Sequence, residues 1–90
     1  MRIARRYLIT GRVQGVGFRY FTQANAVREG LNGWVRNRAD GGVEMLAEGE
    51  IEAVDRFENH VRHGPPGARV ADVDVEDALP TFRETGFTIK

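Results

Sequence analysis

A glycine-rich segment that ends in an arginine is the part of this sequence best suited to carry out chemistry. Residues Gly11 to Arg19 read GRVQGVGFR, with three glycines among the first seven positions. Glycines allow successive backbone N–H groups to turn inward around an anion, and a helix that begins here adds the positive end of its dipole. Arg19 adds a planar, permanently charged guanidinium. The segment therefore predicts a phosphate-binding loop.

The catalytic groups that this loop lacks narrow the reactions it could support. A Walker-type loop requires a lysine after its last glycine, and the only lysine of the chain is Lys90. Cysteine-dependent phosphatases carry a thiolate six positions before the closing arginine, but that position is Val13 and the chain has no cysteine. Neither a Gly-x-Ser-x-Gly elbow nor a His-Glu-x-x-His motif occurs. If a bound phosphoryl group reacts, we expect water to attack it.

Length and composition predict one small domain with zero net charge. The 90 residues suit a single domain, 1–90, with a modest core. Thirteen acidic and thirteen basic residues balance, which argues against a nonspecific nucleic-acid binder. The absence of cysteine excludes a disulfide scaffold, the apolar runs are too short to span a membrane, and the N-terminus has no hydrophobic signal segment. We therefore expect a cytoplasmic monomer with no nucleic-acid or membrane partner.

The first half of the chain predicts a strand and a helix on either side of the loop. Ile3 to Arg12 is typical of an inner strand, and its end leads into the glycines. A helix is predicted from about Phe21 to Glu29, with Gly30 at its C-terminal cap. The apolar stripe of this helix is predicted at helical spacing, on Tyr20, Ala24, Val27 and Leu31.

The second half predicts a hairpin, a second helix and two strands. Trp34 to Arg38 and Val43 to Glu48 are β-like runs, and the Asp-Gly pair between them favours a hairpin turn. The second helix has an apolar stripe, and Gly64-Pro65-Pro66-Gly67 ends it. The stripe consists of Ile51, Val54, Phe57 and Val61, the next strand alternates Ala71, Val73 and Val75 with acidic residues, and the last run holds Phe87 and Ile89. The βαββαβ order predicts a ferredoxin-like α+β sandwich, with two helices on one face of an antiparallel sheet.

Three motifs of the sequence resemble the acylphosphatase family. They are GRVQGVGFR at 11–19, GWVRN at 33–37 and DGGVE at 40–44, and the resemblance covers nearly all of the chain. It implies metal-independent hydrolysis of small acyl phosphates to a carboxylate and inorganic phosphate, with no cofactor. It assigns phosphate binding to Arg19 and to the backbone of Gln14, Gly15, Val16, Gly17 and Phe18, and it assigns positioning of the attacking water to Asn37. Gly42 departs from the family, in which many members carry Ser or Thr.

Other functions of the same fold stay open at this point. Ferredoxin-like sandwiches also include RNA-binding modules, but the Lys/Arg-Gly-Phe-rich central strand of those modules is missing and the net charge is zero. A phosphate-binding module without turnover would carry the same loop. So would a relative of the acylphosphatase-like domain found in carbamoyl-transferring maturation proteins. Metal-free hydrolysis of a synthetic acyl phosphate separates these alternatives.

Overall fold

The computed structural model describes residues 1–83 and 85–90, which form five strands and two helices. In chain order these elements are β1 (Arg2–Arg12), α1 (Phe18–Arg28), β2 (Asn32–Asn37), β3 (Val43–Glu50), α2 (Ile51–His63), β4 (Arg69–Ala78) and β5 (Phe87–Ile89). The predicted βαββαβ order with a terminal strand is confirmed. No helix in the described residues is long and apolar enough to cross a membrane.

The strands form one mixed sheet in the order β4-β1-β3-β2-β5. The four longer strands pair antiparallel with one another, as predicted for a ferredoxin-like sandwich. β5 departs from that prediction because it pairs in parallel with β2, with Val35 opposite Ile89. β4 and β5 lie at opposite edges of the sheet, so the chain crosses from one edge to the other between them. Buried Glu48 holds this crossing segment, since its carboxylate accepts the N–H groups of Thr81 and Phe82 at 3.1 Å.

The core lies between the two helices and one face of the sheet. Alternation along the strands directs Tyr7 and Ile9 of β1 into this core, while Arg6, which precedes Tyr7, lies on the opposite face. The predicted stripe of α2 is confirmed for Val54, Phe57 and Val61, all of which are buried. The helix ends at His63, and its C-cap residue Gly64 has a φ of 74°, a left-handed value that favours glycine.

The predicted face of α1 is wrong. The helix begins at Phe18, three residues earlier than expected, and buries Phe18, Thr22, Asn25 and Ala26. Tyr20 and Val27 of the predicted stripe are instead 69% and 63% exposed, and Ala24 is exposed as well, whereas Leu31 is buried. Phe18 sets this rotation, because its ring joins the core cluster at the first turn and residues one and two turns later follow on the same face.

Candidate active site

The connection from β1 to α1 forms a glycine loop, which we define as residues 13–17. Buried Val13 anchors its start in the core. Gly15 and Gly17 have φ values of 75° and 78°, and Val16 between them has a negative φ. A Cβ atom at either glycine would meet no neighbour within 4 Å, so the backbone conformation and not crowding requires glycine there. Such alternation turns successive N–H groups toward one side, as in anion-binding nests.

The N-terminus of α1 is free of a competing side chain. Gly17 is the N-cap residue and provides no side-chain hydrogen bond, and the first turn contains no acidic residue. The first N–H groups of a helix have no partner within the helix and carry a partial positive charge. This end of α1 therefore adds donors and a favourable dipole beside the loop.

The side chain of Gln14 ties the glycine loop to the β2–β3 hairpin. Its Nε2 donates to the backbone carbonyl of Arg38 at 2.7 Å and to that of Gly42 at 3.0 Å. Sequence reasoning considered only the backbone of Gln14 and missed this contact. The one feature of the sequence that could have indicated this contact is a polar amide side chain among glycines and valines. The two hydrogen bonds hold the loop against the end of β2.

Asn37 is the last residue of β2, at the edge of a surface cavity of about 330 Å³. It lies two positions after buried Val35, so it belongs to the face of the sheet that carries the helices. Its side chain is exposed and makes no hydrogen bond within the described part of the chain. The amide is therefore free to bind a small molecule, as a water-positioning role requires.

Arg19 lies in the first turn of α1 and reaches toward the end of β5. Its Nη1 donates to the backbone carbonyl of Lys90 at 3.2 Å, and the N–H of Lys90 donates to the carbonyl of Val35 at 2.8 Å. Val35 is two residues before Asn37 on β2. These contacts and those of Gln14 bring the loop, the guanidinium and Asn37 to one end of the sheet. The sequence did not reveal the Lys90 contact, because it involves a carbonyl that every residue possesses.

The nearby carboxylates are ionised partners of arginine. Asp40 in the hairpin turn accepts the N–H of Gly42 at 3.0 Å and pairs with Arg38, and both contacts lower its pKa. Buried Glu44 accepts from Arg36 at 2.6 Å, and this bond lowers the pKa of Glu44. Neither carboxylate is suited to donate a proton near neutral pH. Among the described residues, no three His, Cys, Asp or Glu side chains are grouped so that they could hold a metal.

The hydrogen-bond donors of this site determine what it can bind. Backbone N–H groups and a guanidinium bind the oxygens of a tetrahedral anion, and a free amide orients a water molecule beside it. Phosphate binding without turnover would need only the backbone N–H groups and the guanidinium. The unbonded amide of Asn37 is a further group that phosphate binding alone would not need.

Comparison with known proteins identifies the family. Residues 5–89 match the acylphosphatase family. A protein from Koribacter versatilis named acylphosphatase is 52% identical over 86 residues, which cover 96% of this chain and 78% of that protein. The crystal structure of acylphosphatase from Bacillus subtilis superposes with a TM-score of 0.94 at 43% identity, covering 98% of both chains.

The same fold unit also occurs within a larger protein. A crystal structure of full-length HypF in a phosphate- and nucleotide-bound form aligns with a TM-score of 0.88 and 28% identity. That alignment covers all of this chain but 12% of HypF. The matches to stand-alone relatives extend over most of both proteins and have higher identity. The chain therefore belongs to the acylphosphatase family of hydrolases.

Proposed function

We propose that the protein hydrolyses the carboxyl–phosphate bond of acyl phosphates by direct attack of water on phosphorus, without a metal ion. One observation carries the proposal: the glycine loop, the Arg19 guanidinium and the free amide of Asn37 lie at the same end of the sheet. The family membership supports the reaction class, and this geometry supports the mechanism.

The leaving group explains why such a simple site suffices. Phosphoryl transfer through a loose transition state asks the protein mainly to hold three oxygens and align the nucleophile. A carboxylate leaves as the conjugate base of an acid with a pKa of about 4.3, whereas an alkoxide resembles hydroxide, whose conjugate acid has a pKa of about 15.7. A carboxylate therefore departs without a proton donor. Acyl phosphates fit the site better than phosphate esters.

We assign a separate role to each part of the site. The backbone N–H groups from Gln14 to Phe18 donate hydrogen bonds to the phosphoryl oxygens, and Arg19 neutralises the charge that these oxygens carry in the transition state. The contact with the Lys90 carbonyl holds the guanidinium in place before substrate binds. The amide of Asn37 orients the water that attacks phosphorus.

We also propose that the protein acts in the cytoplasm as a monomer on small molecules, without a nucleic-acid partner. β4 is an edge strand, and most of its side chains are exposed. Asp72, Asp74, Glu76 and Asp77 follow one another along it. Because like charges oppose the pairing of two such edges, association through β4 is disfavoured.

An isotope experiment tests this mechanism. The purified protein is given benzoyl phosphate in ¹⁸O-labelled water with excess EDTA, and both products are analysed by mass spectrometry. We expect turnover in the chelator, with the label in inorganic phosphate and none in benzoate. Label in benzoate would show attack at the acyl carbon and contradict the proposal. Loss of activity in EDTA would contradict metal independence, and phosphate binding without turnover would favour a binding module.

A further inference from the structure

Most arginines form salt bridges or hydrogen bonds within the described residues, but three do not. The chain contains 12 arginines and a balanced net charge. Within the described residues, seven arginines form salt bridges with carboxylates: Arg2, Arg5, Arg6, Arg36, Arg38, Arg56 and Arg62. Arg28 donates to Asn25 and Arg19 to Lys90. Arg12, Arg69 and Arg83 make no side-chain hydrogen bond or salt bridge with the described part of the chain.

Two of these unpaired arginines lie directly opposite each other. In the β1–β4 ladder Arg12 pairs with Arg69, and both are exposed. The other arginines of this ladder lie opposite residues of opposite charge, since Arg5 pairs with Asp77 and Arg6 with Glu76. Like charges directly opposite each other destabilise a sheet. The Arg12–Arg69 pair is thus an unfavourable choice for stability alone.

This pair lies beside the glycine loop. Arg12 is the last residue of β1, and the chain enters the loop at the next residue. The two strands are in close contact here, because a Cβ at Gly11 would overlap the carbonyl oxygen of Arg69. Arg12 and Arg69 therefore lie at the same end of the sheet as the glycine loop. Neither arginine has a carboxylate partner among the described residues, so two exposed positive charges lie beside the loop of a chain with zero net charge.

We propose that Arg12 and Arg69 form a capture site that draws phosphate dianions toward the glycine loop. The inference rests on the proposed function, since it names a further binding element of the same substrate. The pair acts through its field, while the loop and Arg19 make the final contacts with the phosphoryl oxygens. Because this field acts on the substrate in the ground state and the transition state alike, its loss raises KM and leaves kcat unchanged.

The test compares Arg12→Gln, Arg69→Gln and the double variant at two salt concentrations. At about 0.01 M ionic strength, where the Debye length is about 30 Å, we expect the double variant to raise the KM for benzoyl phosphate and the Ki for phosphate by about 3- to 10-fold. At about 1 M, where the Debye length is about 3 Å, the difference from the wild type should vanish. Arg69→Lys keeps the charge and should keep the wild-type KM.

A second readout excludes a purely structural role. Because Arg69→Gln relieves the like-charge pair, its Tm without phosphate should be equal to or higher than that of the wild type. Arg28→Gln is the matched control, since it removes the same charge from the last residue of α1, at the opposite end of the helix. Its KM should not change.

Three results would overturn the capture site. They are an unchanged KM and Ki in the double variant at low salt, an equal rise in Arg28→Gln, or a loss of stability that accounts for the higher KM. Phosphate affinity is measured without turnover, so the proposal is tested even if the wild type hydrolyses no acyl phosphate. In that case the proposed function fails, while the Kd of inorganic phosphate, measured by calorimetry at low salt in the wild type and the double variant, still decides whether the pair attracts phosphate.

Discussion

The guanidinium of Arg19 has more donors than its contact within the protein uses. Its Nη1 donates to the Lys90 carbonyl, and the planar fork has five N–H groups in all. One hydrogen bond therefore orients the group, while the others remain for a phosphoryl ligand. A lysine could not divide its donors in this way, because its ammonium is a compact charge without a fixed plane. This division explains why an arginine suits the position.

Gln14 gives a prediction that the sequence alone did not suggest. Gln14→Ala removes two hydrogen bonds, and we expect kcat/KM to fall about 10-fold and the free energy of unfolding to fall by about 1 to 2 kcal/mol. Gln14→Glu has the same shape but cannot donate to the two carbonyls, so it should be at least as impaired. Steady-state kinetics and urea denaturation measure both effects. Full activity in Gln14→Ala would show that the link to the hairpin is dispensable.

The limits of sequence reasoning at the site have a physical cause. The glycine loop and Arg19 were predicted from residue types that carry specific chemistry, whereas Asn37 was predicted from the resemblance to the acylphosphatase family. The partners of Gln14 and Arg19 are backbone carbonyls of residues 24 to 71 positions away in the chain. Any residue offers such a carbonyl, so the sequence has no signal for these contacts. The side chains and these carbonyls come together only when the strands pair in the folded protein.

At the scale of secondary structure, elements with a strong local sequence pattern were predicted correctly, and the details of elements with a weak pattern were not. The Asp-Gly turn specified the β2–β3 hairpin, and the spacing of Val54, Phe57 and Val61 specified the buried face of α2. The buried face of α1 includes Thr22 and Asn25, so its polar residues conceal the periodicity. β5 has three residues, too few to indicate which neighbour it pairs with or in which direction.

Matched substitutions test the rotation of α1. Val27 is 63% exposed and Ala26 is fully buried, although they are adjacent in sequence. Val27→Glu should change the free energy of unfolding by less than about 0.5 kcal/mol. Ala26→Glu should reduce it by about 3 kcal/mol or more, because the carboxylate would be buried without a partner. Chemical denaturation measures both. The reverse order of effects would mean that the apolar stripe predicted from sequence faces the core.

At the scale of the whole molecule, buried ionisable groups limit stability at both ends of the pH range. Burial raises the pKa of Tyr7, and the adjacent Glu58 carboxylate raises it further. Burial alone would raise the pKa of Glu48, but hydrogen bonds from Thr81, Arg2 and Phe82 outweigh it, so the pKa is lowered. The pKa of Glu44 is lowered mainly by its bond to Arg36. The folded state therefore favours neutral Tyr7 and ionised glutamates.

These shifts predict the pH dependence of stability. The contribution of the glutamates is complete above their ordinary pKa of 4.5 and is lost as the pH falls through their lower folded values. The contribution of Tyr7 is complete below its ordinary pKa of 10.0 and is lost as the pH rises toward its higher folded value. Thermal unfolding should therefore show a plateau with a fall in Tm on each side. Tyr7→Phe should remove part of the alkaline fall and leave the acid side unchanged. An identical alkaline fall in that variant would rule out Tyr7 as its cause.

The central claim is that phosphate binding and water positioning belong to different groups. The most direct test measures kcat for benzoyl phosphate and the Ki of inorganic phosphate in Asn37→Ala and Arg19→Ala. We predict that Asn37→Ala lowers kcat by about 100-fold or more and changes Ki by less than about 3-fold, because its amide acts on the attacking water. Arg19→Ala should lower kcat by on the order of 10³-fold and weaken phosphate binding as well. Near-normal kcat in either variant, or an equal loss of phosphate affinity in both, would contradict the account.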